Sequence, residues 1–370
     1  MTPVNERSIE PVRAWMPVAR KVLTPLASVA LAVLVGSVIV ELSGGDPVAA
    51  AAALFTGAFG TPMNFGETLL RSTPLIIVGL GLAYGFRTGL FNIGAEGQLF
   101  VGGLAGAWLG LLLGGLTPWV SVPLLLLAAM AGGAAWAFVP AILKAKVGAH
   151  EVITTMMFTY IARYLVSWLV VGPLKAPGPI PQTRQLPANV VLPLLRDISP
   201  ALRLGRAHLG IAIGVALAVV VWLVLKYTTL GYEARAVGLN PAAAENGGIS
   251  IAATTVKSLC ISGALAGLAG CVEVLGIHHR LFDQFSSGFG FTGIAVALLA
   301  KNHPLAVVPA AILFGALSAG ATTMQLEANV STKLISIIQA LVIFFVAAEA
   351  VVEWVVRARQ KKAVAVDAAR

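Results

Sequence analysis

The chain has 370 residues, of which 58% are hydrophobic and only 11% are charged. Soluble domains carry about 25% charged residues, and one soluble core could not bury so much apolar surface. The net charge is +9, but the lysines and arginines flank apolar runs and form no basic stripe interleaved with aromatic residues, which argues against a nucleic-acid-binding protein. The composition instead predicts a protein whose long apolar stretches lie in lipid.

Apolar stretches recur along the chain and predict an all-α polytopic membrane protein with about ten transmembrane helices. The first follows a basic segment, residues 1–21, and is longer than the apolar core of a signal peptide, about 7–15 residues, so we expect a retained span. The transmembrane domain then covers 22–356, and a charged tail covers 357–370. The predicted spans are residues 22–42, 67–86, 92–115, 120–143, 151–172, 208–227, 252–276, 288–300, 305–325 and 334–356.

The positive charges orient these spans. With the N-terminus inside, the inner segments hold sixteen lysines and arginines and the outer segments hold seven. Cytoplasmic loops of membrane proteins carry such an excess. We therefore expect a multi-pass protein of the bacterial inner membrane with both termini cytoplasmic, an outer loop over 173–207 and an inner loop over 228–251. The outer loop is rich in proline, which favours an extended, semi-rigid segment over a helix.

The stretch 81–103 is apolar overall but rich in glycine, and it contains the polar side chains of Arg87, Asn92, Glu96 and Gln98. Irregular backbone at membrane depth must be covered by protein or line a watery cavity, and ionisable groups there are candidates for function. A second interpretation is that Arg87 and Glu96 only mark a cytoplasmic turn between two helices. The residues alone do not decide between these interpretations.

A similar pattern recurs at 278–300, where a polar entry and a glycine-rich interruption precede a short apolar run. Interrupted helices in corresponding positions of two halves are typical of inverted repeats around a transport pathway. Polar groups could contact a ribose there, and an aromatic ring could stack on a nucleobase at about 1–3 kcal/mol. The residues that we place near this pathway are Asn92, Glu96, Gln98, Phe289 and Phe291, with Thr154 and Thr155 as weaker candidates.

Three glycines, Gly263, Gly267 and Gly270, have the spacing that lets membrane helices approach closely. We expect them to serve helix packing rather than transport chemistry.

Several catalytic signatures are missing from the sequence. It has no GxxxxGK[ST] loop to bind the phosphates of ATP. His150 and Glu151 begin an HExxH pattern, but the second histidine of that motif, four residues after the first, is missing. No nucleophile–base pair is visible either. The sequence therefore predicts a protein that is not an enzyme, with no metal site and no cofactor of its own.

The inner loop contains a short predicted helix over 241–246. Asn240 is a good N-cap, Pro241 suits the first helical position, and Gly247 with Gly248 suits a C-terminal stop. A capped, alanine-rich helix outside lipid indicates a surface that another protein contacts. The alternative is a simple surface connector.

This inner loop resembles the coupling loop of ABC importer permeases in the branched-chain amino acid and ribose permease group. The matching residues are Arg235, Ala236, Gly238, Asn240, Ala243, Ala244, Gly248 and Ile249. Residues 91–103 and 262–270 also fit that group, and 148–165 with 172–183 is similar to its nucleoside-type (simple sugar/nucleoside) subfamily. The chain departs from the usual subfamily pattern at His150, where Asn is more common, and at 158–159, where Leu-Asn is more common.

The resemblance implies a permease subunit of an importer, which forms the translocation pathway through the membrane. It implies a separate ABC ATPase that binds ATP, a second permease subunit, often a different one, and an extracytoplasmic substrate-binding protein. The residues that it implies in coupling to the ATPase are Arg235, Gly238, Asn240, Ala243, Glu245 and Gly248.

Three functions stay open at this point. The chain could serve an importer of nucleosides, the same machine for sugars or branched-chain amino acids, or an ion-coupled secondary transporter with broken helices. The secondary transporter explains the interrupted spans equally well. It does not explain the capped inner helix, and no carboxylate cluster is present at two facing interruptions.

Overall fold

A computed structural model of the protein describes residues 27–199, 201, 203–346 and 348. The predicted cytoplasmic segment 1–21 and the predicted tail 357–370 lie outside these residues. Across the described part of the chain the structure is helical, with two isolated antiparallel bridges in its loops. The prediction of an all-α polytopic membrane protein is confirmed.

The helices are numbered α1 to α14 in chain order. Their bounds are Ala27–Leu42, Pro47–Phe59, Pro62–Arg87, Ala95–Leu112, Pro118–Ile142, Glu151–Val171, Leu195–Ile198, Gly210–Tyr227, Thr229–Leu239, Pro241–Asn246, Ile251–Glu273, Phe289–Leu299, Pro304–Glu327 and Lys333–Val346. Two of them continue as one π-helical turn, α5 through Val147 and α11 through His278.

Among the described residues, six helices are long and apolar enough to cross a membrane: α3, α5, α6, α8, α11 and α13. Shorter apolar helices are α1, α2, α12 and α14, so the number of ten crossings stays a prediction. Helix α2 has no counterpart among the predicted spans. Its 13 residues are too few for a span and follow a glycine turn, which is why the apolar pattern gave no signal there.

The described residues divide into two compact units, residues 27–51 with those described after 324, and residues 52–324. In the first unit, Gly36 of α1 faces Ile338 of α14, where a Cβ atom on the glycine would lie 2.7 Å from the isoleucine Cγ1. The small residue therefore lets these two helices pack closely.

In the second unit, α3 and α11 are the central helices. Their most apolar windows are 83% and 78% buried, against 22% for α5 and α6, which leave most of their surface for lipid. Helix α11 packs tightly on α4 and α5, because a Cβ atom on Gly267 would collide with the carbonyl of Ala129 and one on Gly102 would collide with Gly267. The predicted packing role of the glycines at 263, 267 and 270 is confirmed.

Loops of the second unit gather at two ends. At the α10 end, the Arg87 guanidinium donates to the carbonyl of Asn302, and Lys257 pairs with Glu233. At the opposite end, Gln182 bridges to Phe282, so the predicted outer loop lies on the end of α11. This grouping agrees with the predicted topology, although the side that faces the cytoplasm stays a prediction.

The predicted outer loop is mostly irregular, as its prolines indicated. Its described residues include a 3-10 turn, Ala188–Val190, and the short helix α7. Backbone bonds hold it in place: the Leu186 amide donates to the carbonyl of His279, and the Leu192 amide donates to the carbonyl of Leu275.

Candidate functional site

The chain between α3 and α4, residues 88–94, forms the first break. Asn92 is 1% exposed, and its amide exchanges two hydrogen bonds with the Gln98 amide, of 2.8 and 3.0 Å. The Asn92 Nδ2 atom also donates to the Ser262 hydroxyl of α11, at 2.9 Å. These bonds supply the partners that buried amides need, so the irregular backbone of the first break is held inside the protein.

The second break, residues 279–288, is joined to the first by Glu96. This side chain is 3% exposed, and its Oε2 atom accepts a 2.6 Å hydrogen bond from the Gly290 amide in the first turn of α12. The Ser286 side chain also hydrogen-bonds to the Glu96 carboxylate. A carboxylate is favourable at a helix N-terminus, where amides lack partners within the helix and the backbone dipole is positive.

Geometry at Gly288 and Gly290 permits this capping. Gly288 precedes α12 with a φ of +87°, a conformation that glycine adopts without strain. A Cβ atom on Gly290 would collide with the Glu96 backbone, so only glycine allows the helix start to approach so closely. The glycine-rich interruption seen in the sequence therefore serves a contact across 194 positions of the chain.

The two breaks meet well inside the helical bundle. Ser262 lies eleven residues after the start of α11, about 16 Å along a helix axis that rises about 1.5 Å per residue. Helix α12 has 11 residues and ends beside Asn302, which Arg87 contacts at the α10 end. Since α12 is about 16 Å long, it spans only about half of a 30 Å hydrocarbon layer.

The remaining predicted pathway residues lie around this meeting point with different exposure. Thr155 is 0% exposed and packs against Gly94, whereas Thr154 is half-buried and bonds to backbone carbonyls of its own helix. Phe289 is half-buried, and Phe291 is 40% exposed. Asn92, Glu96, Gln98 and Thr155 are thus interior groups, and Phe291 is the pathway candidate with the most accessible ring.

Arg163 of α6 belongs to the same region, although no role was predicted for it. Its guanidinium donates to the Gln284 side chain in the second break, at 3.0 Å, and its charge attracts the Glu96 carboxylate. An arginine within a span is itself a signal of function, but its partner lies 121 positions away and has no sequence marker.

The predicted inner helix is present as α10, Pro241–Asn246. The Asn240 side chain accepts a 3.1 Å hydrogen bond from the Ala243 amide, and Pro241 occupies the first turn, so the predicted capping is confirmed. The preceding residues correct the prediction of a plain loop. They form α9, capped by the Thr228 hydroxyl, which places Arg235 and Gly238 within a helix.

Helix α10 is exposed except for Ala244, which is 5% exposed. The neighbouring Leu239 is 87% exposed, which leaves an apolar side chain outside the bundle. A cleft of about 540 Å³ lies beside α10, with Lys144 and Glu245 among its lining residues. The cleft is concave and is lined by both charged and apolar side chains, as a site for a partner protein would be.

Contacts connect this surface to the breaks. Gly238 of α9 packs on the end of α3 so closely that a Cβ atom would collide with the Arg87 carbonyl. The Thr88 hydroxyl then donates to the Ser258 hydroxyl at 3.0 Å, and Ser258 lies four residues before the Ser262 that accepts from Asn92. A displacement of α9 would therefore press on the first break.

Comparison with known proteins adds an independent line of evidence. The family described as "Branched-chain amino acid transport system / permease component" matches residues 64–347. The guanosine ABC transporter permease NupP of Bacillus subtilis is 39% identical, with 92% of this chain and 97% of that protein covered. A glucose ABC transporter permease of Haloferax volcanii is 36% identical, with 90% and 88% covered.

A third relative, the nucleoside ABC transporter permease NupB of Lactococcus lactis, is 34% identical, with 90% of this chain and 93% of that protein covered. No solved structure matches the chain. The family works with ATPase and substrate-binding partners, and its permeases are transport subunits rather than catalysts. This chain is a multi-pass inner-membrane protein of the branched-chain amino acid transport system permease family, the permease subunit of an ABC importer.

Proposed function

We propose that this permease imports nucleosides. The observation that carries the proposal is its similarity to NupP and NupB, whose names specify guanosine and nucleosides, over at least 90% of this chain. The interior at the two breaks has a suitable chemistry: amide and carboxylate groups lie next to aromatic rings, and a nucleoside combines a hydroxylated sugar with a flat base.

Import of sugars is the second candidate, because the glucose permease is 36% identical to this chain. Hydroxyl groups are shared by both cargoes, so the polar residues near the breaks do not separate them. The nucleobase distinguishes the two cargoes, because a base offers a large aromatic face to Phe289 and Phe291 and a sugar does not. Uptake of labelled guanosine against labelled glucose by a strain that depends on this chain distinguishes the two.

The energy for transport comes, in this proposal, from a separate ATPase that binds and hydrolyses ATP and seats against α10. The exposed Ala243 and Leu239 and the adjacent cleft support this assignment of the surface. Closure of the ATPase would press α9 on the end of α3 and so move the first break. Arg235, Gly238, Asn240, Ala243, Glu245 and Gly248 take part in that contact.

The complete importer would contain a second permease, a paralogue of this chain, and an extracytoplasmic substrate-binding protein at the end opposite α10. The exposed Phe291, at about half the depth of the bundle, would then face the pathway between the two permeases. In this orientation α10 and both termini are cytoplasmic, as the distribution of lysine and arginine supports.

The ATPase contact is tested by Ala243→Arg. The side chain at this position is exposed, so the substitution should leave the bundle folded while it blocks seating of α10. We expect loss of ATPase co-purification and of guanosine uptake, with an unchanged amount of protein in the membrane. Ala188→Arg, at an exposed alanine of the opposite end, is the matched control and should retain the ATPase. Unchanged co-purification and uptake in Ala243→Arg would refute the assignment.

A further inference from the structure

A group of charged and polar side chains lies inside the bundle at the end opposite α10. Glu273, near the end of α11, is 5% exposed. One of its oxygens, Oε1, lies 3.6 Å from Nε2 of His278, and the charge of Arg71 on α3 also acts on the carboxylate. The Arg71 guanidinium donates to the hydroxyl of Ser318 at 3.3 Å. We call Arg71, Glu273 and His278 the Glu273 cluster.

Part of the hydrogen-bonding capacity of this cluster is unused within the described residues. The Glu273 Oε2, His278 Nε2 and Arg71 Nε atoms are buried and have no hydrogen-bond partner there. Buried polar groups in proteins are almost always hydrogen-bonded, and ionisable groups at membrane depth mark the routes of transported molecules. The unpaired Glu273 oxygen is a hydrogen-bond acceptor and the unpaired Arg71 Nε–H is a donor. A ligand hydroxyl, which both donates and accepts, can bond to both.

Nearby charges do not satisfy the cluster. Arg206 is engaged with Glu67 through two hydrogen bonds of 2.8 and 2.9 Å, which raise the pKa of the Arg206 guanidinium. The Nδ1 atom of His208 accepts from the amide of Gly210, and its Nε2 atom is buried without a partner among the described residues. Neither Arg206 nor His208 makes a hydrogen bond to the Glu273 cluster within the described part of the chain.

Aromatic rings extend from the cluster toward the meeting point of the two breaks. The His278 ring lies 5.5 Å from that of Phe282 and 6.4 Å from that of Phe285, and Phe285 lies 5.1 Å from Phe100 of α4. The second break therefore begins at the Glu273 cluster and ends at Glu96. Polar side chains with an aromatic wall are the combination that binds a hydroxylated ring attached to a flat base.

We propose that the Glu273 cluster is a binding site for the cargo, distinct from the residues at the meeting of the breaks, and that it recognises vicinal hydroxyl groups. The Glu273 carboxylate accepts hydrogen bonds from the two hydroxyls, the Arg71 guanidinium donates to one of their oxygens, and the ring of Phe285 contacts the base. This inference rests on the proposed import of nucleosides, because a ribose supplies the adjacent hydroxyls.

The test uses the assembled importer in proteoliposomes, with a cysteine as reporter beside the cluster. Phe282→Cys is introduced with Cys260→Ser, which leaves the buried Cys271, and the rate of modification by a small thiol reagent is measured. Guanosine should slow the modification, and 2′,3′-dideoxyguanosine should not, because a site built to bind hydroxyls rejects the analogue that lacks them.

Glu273→Gln removes the charge, and we expect the guanosine concentration for half-protection to rise about tenfold, which equals about 1.4 kcal/mol. Glu273→Asp, which keeps the carboxylate, should protect better than Glu273→Gln. A cysteine at the exposed Tyr227, at the other end of the protein, should show no protection. The matched carboxylate control is Glu233→Gln at the α10 end, which should leave half-protection unchanged.

The outcomes separate this inference from the proposed function. Equal protection by guanosine and its dideoxy analogue, or unchanged half-protection in Glu273→Gln, overturns the inference while guanosine uptake persists. Absence of guanosine uptake by the unmodified importer overturns the proposed function itself.

Discussion

Removal of the Glu96 carboxylate should loosen the start of α12. In Glu96→Ala the Gly290 amide loses a 2.6 Å hydrogen bond in a buried position. An unpaired buried donor costs about 1–3 kcal/mol, and loss of a negative charge at a helix N-terminus adds about 0.3–1 kcal/mol. The Ser286 hydroxyl can rotate to another acceptor, so we assign no further cost to it. The first turn of α12 should therefore open more readily by about 1–4 kcal/mol.

Hydrogen–deuterium exchange of the purified protein measures this opening. A change of 1.4 kcal/mol is a factor of ten, so exchange at the first amides of α12 should accelerate at least about fivefold in Glu96→Ala. Glu96→Gln keeps an acceptor oxygen and should show a smaller change. Glu67→Ala is the carboxylate control, because its ion pair with Arg206 is partly exposed and such pairs contribute about 0–1 kcal/mol. Equal exchange at α12 in Glu96→Ala and the unmodified protein would show that this carboxylate does not hold the helix start.

Three further predictions follow from the α10 end and the topology. Gly238→Leu should collide with the Arg87 carbonyl, at a cost of about 1–3 kcal/mol, and should lower guanosine uptake; equal uptake would exclude a role for this contact. Asn240→Ala should remove the cap of α10, at about 1 kcal/mol, and speed exchange at the Ala243 amide, whereas Asn240→Asp should not. Cysteines at 187 and 359 test the orientation, because we expect a membrane-impermeant reagent added outside to label only the first; labelling of 359 alone would reverse the topology.

Local features were predictable from the sequence. The capping of α10 depends on Asn240 and Pro241, adjacent residues whose preferences are known, and the packing of α11 depends on glycines at helical spacing. Helix α9 was missed because its interior glycines, Gly231 and Gly238, weaken helix propensity; its start at Thr228 carried the only local signal. Contacts with Leu225 and Arg87 explain why those two positions are glycine.

The candidate site was predictable as a set of residues but not as an arrangement. Polar groups in apolar stretches identified Asn92, Glu96 and Gln98, and all three lie in the interior at the first break. No sequence pattern connects Glu96 with Gly290, because the hydrogen bond joins distant positions through the packing of α4 on α12. The same reason hid the Glu273 cluster, in which Arg71 of α3 lies near Glu273 and His278 at the end of α11.

In our proposal, ATP hydrolysis on a partner drives import of nucleosides through this permease. The decisive experiment measures uptake of labelled guanosine into proteoliposomes that contain the assembled importer and its binding protein. We predict uptake that requires ATP on the side of α10 and continues when an ionophore abolishes the proton and sodium gradients. Uptake without ATP or without the ATPase subunit, lost when the gradients collapse, would contradict the account and identify an ion-coupled transporter.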